Sequence, residues 1–202
     1  MNSSRKGRIS LPDHEALSAE QRAIYEAVVN GPRGKIVGPL RAVIHSPELA
    51  DPWQKLGAYV RYKTLIPEAL KELAIIICAR RWNSEVEWAI HSRIAREAGV
   101  PDAVITAILA GEAPQFDDPA AAEIYDYVCE LQTHGAVSDA AYRPVLERWG
   151  ERGIVELTAI AGYYSMVAMM LNAHRIPLPP GETRSLIAYE GSELAALAPR
   201  KV

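Results

Sequence analysis

The sequence is poor in cysteine and has no excess of charge of one sign, and each scarcity excludes a class of protein. Its two cysteines, Cys78 and Cys129, are far apart and fit no metal-binding or redox spacing. We interpret them as reduced, buried thiols of a cytoplasmic protein. Lys and Arg number 22 against 25 Asp and Glu, for a formal net charge of -3. A nucleic-acid binder would need a concentrated basic surface, so that class is excluded.

Long hydrophobic runs are also missing. The segment 73–79 is too short to cross a bilayer, and the segment 159–171 is interrupted at 162–165 by glycine, two tyrosines and serine. Three basic residues lie within the first eight, but no apolar segment of a secretory signal follows them, so we interpret them as an exposed tail. We therefore expect a cytoplasmic protein with neither a membrane nor a nucleic acid as its partner.

Apolar residues make up 49% of the chain, which is enough for a proper core, and signals for helix starts are frequent. Ser18–Gln21 and Ser84–Glu87 have the pattern of capping boxes, and Pro47 and Pro67 each precede a glutamate at the start of an apolar periodic segment. The glycine–proline pairs at 31–34 and 38–39 indicate loops. Expected helices include Ala23 to Val29, a helix through Trp53, Leu56 and Val60, and helices over about 68–81, 84–99, 101–110, 120–134, 139–150 and 154–174.

These patterns predict an all-α fold. We expect an N-terminal tail over 1–17, one helical domain over 18–180 made of two halves, and a C-terminal tail over 181–202 that is partly extended. The acidic, proline-bounded loop Pro114–Pro119 is the expected joint between the two halves.

The best candidate active site is the pair Glu87 and His91. The two residues are four apart on one predicted helix, so they share a face and can act on one substrate. The helix break at Asn83 and Ser84 leaves free backbone N–H groups beside them. Glu72, on the preceding helix, is expected to approach the same point.

The spacing of these residues is similar to that of a known family. The pattern Glu72-x11-Ser84-x2-Glu87-x3-His91 resembles the alkylhydroperoxidase-D pattern Glu-x11-Cys-x2-Cys-x3-His, with both cysteines replaced. A glutamate at the second position resembles the carboxymuconolactone decarboxylase branch of the same superfamily. The flanking segments 80–82, 95–99 and 156–177 resemble that family as well, and the likeness covers about residues 18–180.

The resemblance implies an all-α bundle of antiparallel helices. It also implies a protein that assembles with itself as a dimer, trimer or hexamer, binds a small-molecule substrate and uses no cofactor. It implies a lyase in which Glu87, His91 and Glu72 are catalytic. Trp88 and Ser84 would line the site, Arg80 or Arg81 would anchor a substrate carboxylate, and a phenol of Tyr163 or Tyr164 would face the pocket. No metal site is expected, because no third ligand lies near Glu87 and His91.

Two other functions stay open. An antioxidant protein of the peroxiredoxin type would need a thiolate and a resolving thiol, which neither Ser84 nor Glu87 provides, so peroxidase activity is disfavoured. A non-catalytic, oligomeric ligand-binding protein would have a closed core around the pair. Glu87 also occupies the position from which a capping box bonds the Ser84 backbone, and that structural role competes with the catalytic one.

Overall fold

The computed structural model describes residues 7–36, 38–183, 185–186 and 196–200. Within those residues every regular element is helical. The α-helices are α1 Ala19–Val29, α2 Pro39–Val43, α3 Pro47–Tyr62, α4 Glu68–Arg81, α5 Glu85–Glu97, α6 Asp102–Ala110, α7 Pro119–His134 and α8 Asp139–His174. The expected all-α fold is confirmed, and the starts of α1, α3, α4 and α5 fall where their capping residues and prolines predict.

The chain divides into two compact units, and the first contains Met1–Lys63 and Met170–Pro177. In it α3 packs against α1 and α2. The capping box at the start of α1 is present, with Ser18 and Gln21 bonding each other's backbone N–H groups. The proline at 39 was expected in a loop but begins the short helix α2, because proline suits the first helical turn as well as a loop.

The N-terminal tail belongs to this first unit through specific bonds. The Arg8 backbone N–H and the His174 carbonyl oxygen are 2.9 Å apart, and the Arg41 guanidinium donates to the Leu11 carbonyl. The other two basic residues of the predicted exposed tail, at 5 and 6, lie outside the described residues. Arg8 is exposed as predicted, but its backbone is held by the hydrogen bond to His174.

The second unit contains Thr64–Met169 and Leu178–Val202, and α4 is its central helix. The helices α5, α6 and α7 all pack on α4. Every residue from Leu70 to Ala79 is buried, so this helix has no solvated face. An apolar stripe alone predicts one buried face; here the charged residues Lys71 and Glu72 are buried as well.

Three expected boundaries differ in the structure. The division between units falls at Lys63 and Thr64 instead of in the loop Pro114–Pro119. The two last helices form one element, α8, interrupted at Gly150, whose φ of 66° is non-helical. The C-terminal tail was expected beyond the folded part, but its described residues pack on the second unit: Leu186 is buried, and Arg200 forms a bidentate pair with Asp126. These contacts join positions that are distant in the sequence.

The helix α8 is long and apolar enough to cross a membrane by length and composition, with a mean hydropathy of 1.6 in its most apolar window. Within the fold 61% of that window is buried. The core helix of a soluble protein has the same properties, so this helix is weak support for a membrane span.

Candidate active site

The turn between α4 and α5 places Ser84 inside the protein. Asn83 adopts a left-handed backbone conformation with φ of 45°, which asparagine tolerates better than most residues. The Ser84 N–H donates to the Ala79 carbonyl and the Asn83 N–H to that of Arg80, which is the hydrogen-bond pattern of a Schellman motif. Helix α4 therefore ends and α5 begins within a few residues. Ser84, which directly precedes α5, is fully buried.

The predicted capping box at this position is wrong. The Ser84 side chain makes no capping hydrogen bond to α5. Within the described part of the chain, the Ser84 hydroxyl and both carboxyl oxygens of Glu87 are buried without a hydrogen-bond partner. The structural role that competed with catalysis for Glu87 is therefore absent.

Glu72 and His91 meet as the spacing predicted. The Nδ1 of His91 and the Oε2 of Glu72 are 2.7 Å apart, and the two residues are only 7% and 0% exposed. When a carboxylate accepts this bond, Nδ1 carries the hydrogen and Nε2 is left with a lone pair. Glu72 thus orients the imidazole and selects its tautomer.

Glu87 is a carboxyl group whose pKa lies well above the usual value of 4.5. Burial is the main cause, because a side chain that is 2% exposed loses most of its hydration, and the nearby Glu72 carboxylate adds to the shift. Glu87 therefore keeps its neutral, proton-donating form to a higher pH than an exposed glutamate does. Two acidic groups and an imidazole lie in one buried cluster, which we call the Glu72–Glu87–His91 cluster.

Of the two tyrosines predicted to line the site, Tyr164 contacts the cluster directly. Its ring packs edge-on against the imidazole of His91, with centroids 5.1 Å apart. Tyr163 packs on Tyr164 at 5.4 Å and is one step further from the imidazole. Both are buried, and both belong to the part of α8 within the second unit.

The two arginines proposed as substrate anchors are engaged with other groups. The Arg80 guanidinium donates to the Leu109 carbonyl at 3.0 Å and to Asn83 Oδ1 at 2.6 Å, and burial lowers its pKa. Arg81 donates to the Gln132 carbonyl at 3.1 Å. These bonds tie both side chains to α6, α7 and the α4–α5 turn.

Neither cysteine resembles a peroxidatic thiol. Both are buried and reduced. Burial raises the pKa of Cys129 to about 12, and burial followed by the neighbouring Glu87 raises that of Cys78 far above its usual range. Few thiolates would form at neutral pH.

Two arginines that the sequence reasoning missed, Arg93 and Arg96, line a cavity of about 320 Å³ together with Trp88. Arg93 and Arg96 are three residues apart on α5, and this spacing could have predicted that they share a face of the helix. The cavity itself could not be predicted, because its C-terminal lining residues are far from α5 in the sequence. Among the described residues, no group of three or more His, Cys, Asp or Glu side chains is arranged to hold a metal ion.

The all-helical fold is of the alkylhydroperoxidase-D-like type. The sequence profile of the Carboxymuconolactone decarboxylase family matches residues 47–128, which include all of α4 and α5. Over that segment the chain is similar in sequence to this family.

Solved structures show the same fold at low sequence identity. An uncharacterized peroxidase-related protein from Silicibacter sp. TM1040 is 14% identical with a TM-score of 0.68, over 90% of this chain and 96% of the other. A peroxidase-related protein with an alkylhydroperoxidase core, from Ralstonia eutropha JMP134, is 14% identical with a TM-score of 0.69, over 86% and 93%. The debrominase Bmp8 in complex with 2,3,4-tribromopyrrole is 13% identical with a TM-score of 0.68, over 88% and 95%. No curated protein matches the chain in sequence.

Proposed function

We propose that this chain is a cofactor-independent lyase of the carboxymuconolactone decarboxylase type, acting on a small carboxylated lactone by proton transfer. The observation that carries the proposal is Glu87, a neutral acid buried without a hydrogen-bond partner among the described residues, beside the oriented imidazole of His91. A buried polar group without a partner costs stability, so its presence is better explained by chemistry than by packing.

The reaction makes two demands that the cluster can meet. The bond between the ring and its carboxylate breaks, carbon dioxide leaves, and the electron pair moves into the conjugated lactone to give a dienolate. Glu87 then transfers its proton to carbon and regains one from water. The Ser84 hydroxyl and the free N–H groups at the start of α5 are suited to stabilise the dienolate oxygen.

His91 and Trp88 have supporting roles in this proposal. His91 is the most exposed member of the cluster, so the substrate approaches on its side. Its Nε2 can hydrogen-bond the substrate or return the proton to Glu87, while Glu72 holds the ring in place. Trp88 is 2% exposed and supplies an apolar wall next to Glu87.

Site-directed variants assayed with carboxymuconolactone test the proposal. We expect the wild type to decarboxylate this lactone, and Glu87→Gln and His91→Ala to lose about a hundredfold or more of kcat. Circular dichroism should show unchanged helicity, and Glu147→Gln, which changes an exposed carboxylate on α8, should keep full activity. Full activity in both cluster variants would refute the site, and no turnover by the wild type would refute this substrate.

The peroxidase alternative has a test of its own. A Cys78→Ser, Cys129→Ser double variant should consume hydroperoxide no differently from the wild type, because both thiols are buried and their pKa values are raised. A loss of peroxide consumption specific to the double variant would favour thiol chemistry. The non-catalytic alternative agrees with the closed surroundings of the cluster, but it leaves the unbonded acid of Glu87 without a role.

A further inference from the structure

The cavity beside Trp88 lies against α5, α6 and the described C-terminal residues. Its volume of about 320 Å³ is at the lower end of the range of small-molecule sites, which is about 300–1,000 Å³. Trp88, Ile105 and Leu109 supply an apolar wall, and Ser92, Arg93 and Arg96 supply hydrogen-bond donors. More of the lining is polar than apolar, and a ligand site combines some apolar surface with polar groups that orient the ligand.

This cavity is on a different face of α5 from the Glu72–Glu87–His91 cluster. The catalytic face of α5 contains residues spaced by three and four positions: Ser84, Glu87 and His91. The face at the cavity contains residues with the same spacing, each five positions later: Ala89, Ser92 and Arg96. Because an α-helix has about 3.6 residues per turn, the two faces differ by roughly 140°. Trp88 lies between them. The cavity is therefore a second site and does not belong to the proposed catalytic centre.

The charged groups at the cavity favour a ligand with one negative charge. Arg93 Nη1 donates to Glu97 at 3.1 Å and Arg96 Nε to Asp102 at 2.5 Å. Each of these bonds uses one of the five donors of a guanidinium, and the arginine side chains are 54% and 52% exposed, so the pairs are weak and can rearrange. Glu182 also borders the cavity, which disfavours a dianion.

We propose that this cavity binds a small aromatic monocarboxylate. The carboxylate lies between the guanidinium groups of Arg93 and Arg96, where it can accept charge-assisted hydrogen bonds. The ring lies against Trp88, Ile105 and Leu109. Trp88 borders both this cavity and the proposed catalytic site, but none of the three cluster residues lines the cavity.

Titration with benzoate tests the proposal, observed through the indole N–H signal of Trp88 in ¹H–¹⁵N spectra and assigned with Trp88→Phe. We expect a saturable shift with a millimolar Kd, and binding about tenfold weaker for neutral benzamide, which lacks the charge. The Arg93→Gln, Arg96→Gln double variant should weaken benzoate binding by about tenfold. Arg143→Gln should not, although Arg143 also forms an exposed i,i+4 ion pair within the second unit.

Further variants separate this site from the catalytic cluster. Ser92→Phe should block benzoate by filling the cavity without changing a charge, and Glu87→Gln should leave benzoate binding intact. The proposal is overturned if benzoate gives no saturable shift, if benzamide binds equally well, or if the double arginine variant or Ser92→Phe keeps full affinity. Loss of binding in Glu87→Gln with retention in the arginine variant would assign the probe to the catalytic cluster and also overturn it.

Discussion

The buried carboxyl of Glu87 couples the stability of the second unit to pH. Its pKa is raised in the folded protein, mainly by burial and also by Glu72, so above the usual value of 4.5 the unfolded chain releases this proton while the folded chain retains it. The free energy of unfolding therefore falls as pH rises from that value towards the folded pKa, by at most about 1.4 kcal/mol per pH unit. Glu87→Gln removes this dependence.

We expect Glu87→Gln to be more stable than the wild type at neutral pH, with a difference that shrinks as the pH is lowered towards 4.5. Urea denaturation followed by circular dichroism at a series of pH values measures it. Glu147→Gln, in an exposed position, is the control and should run parallel to the wild type. Parallel curves for Glu87→Gln would mean that its carboxyl ionises as readily in the folded protein as in the unfolded chain.

At the scale of the element, the starts of α5 and α7 differ in how their capping residues are used. Asp118 accepts the Ala120 N–H at 2.9 Å and caps α7, whereas the Ser84 hydroxyl makes no capping bond to α5. Asp118→Ala should therefore lower the free energy of unfolding by about 1 kcal/mol. Ser84→Ala should not lower it, because it removes a buried hydroxyl that has no partner among the described residues.

Both variants lie in the second unit, so denaturant titrations of the two can be compared directly. A Ser84→Ala variant that stays stable but loses turnover would support a role for the hydroxyl in binding the substrate oxygen. An equal loss of stability in both variants would show that Ser84 does cap α5 in solution.

The α4–α5 pair shows what the sequence can predict at this scale. The starts of α1, α3, α4 and α5 follow from local signals and are confirmed, whereas the start of α2 was not predicted. The approach of Glu72 to His91 follows from a spacing within twenty residues and is also confirmed. The unused cap of Ser84 was not predictable, because a capping box and a buried, unbonded serine have the same sequence pattern. Likewise, the partners of Arg80 and Arg81 lie on α6 and α7, and no local pattern identifies them.

At the scale of the whole molecule, the described residues of the C-terminal segment bond to the rest of the second unit near Leu186 and again near Arg200. The Glu85 carboxylate accepts the backbone N–H groups of Ser185 and Leu186 at 2.5 and 3.2 Å. Further on, Asp126 accepts two bonds from Arg200. These attachments were not predictable, since about a hundred residues separate the first pair and the composition of the tail indicated an extended segment.

Single substitutions should release the two attachments independently. Glu85→Gln replaces a charged acceptor with a neutral one, so we expect faster amide exchange at 185 and 186 and unchanged exchange at 196–200. Asp126→Asn should have the opposite pattern. Hydrogen–deuterium exchange with mass spectrometry measures both. Equal protection of residues 185 and 186 in Glu85→Gln and the wild type would show that this carboxylate does not hold them.

The predicted self-association as a dimer, trimer or hexamer stays a prediction.

The composition of the first unit has a consequence for synthesis on the ribosome. This unit joins the chain up to Lys63 with the segment Met170–Pro177, and the Arg8 N–H bonds the His174 carbonyl. A nascent chain that has released α1, α2 and α3 therefore lacks a partner segment until residues 170–177 have also left the exit tunnel. The first helices to be made therefore belong to a unit that is completed late, and during that interval the apolar surface that they bury in this unit stays exposed.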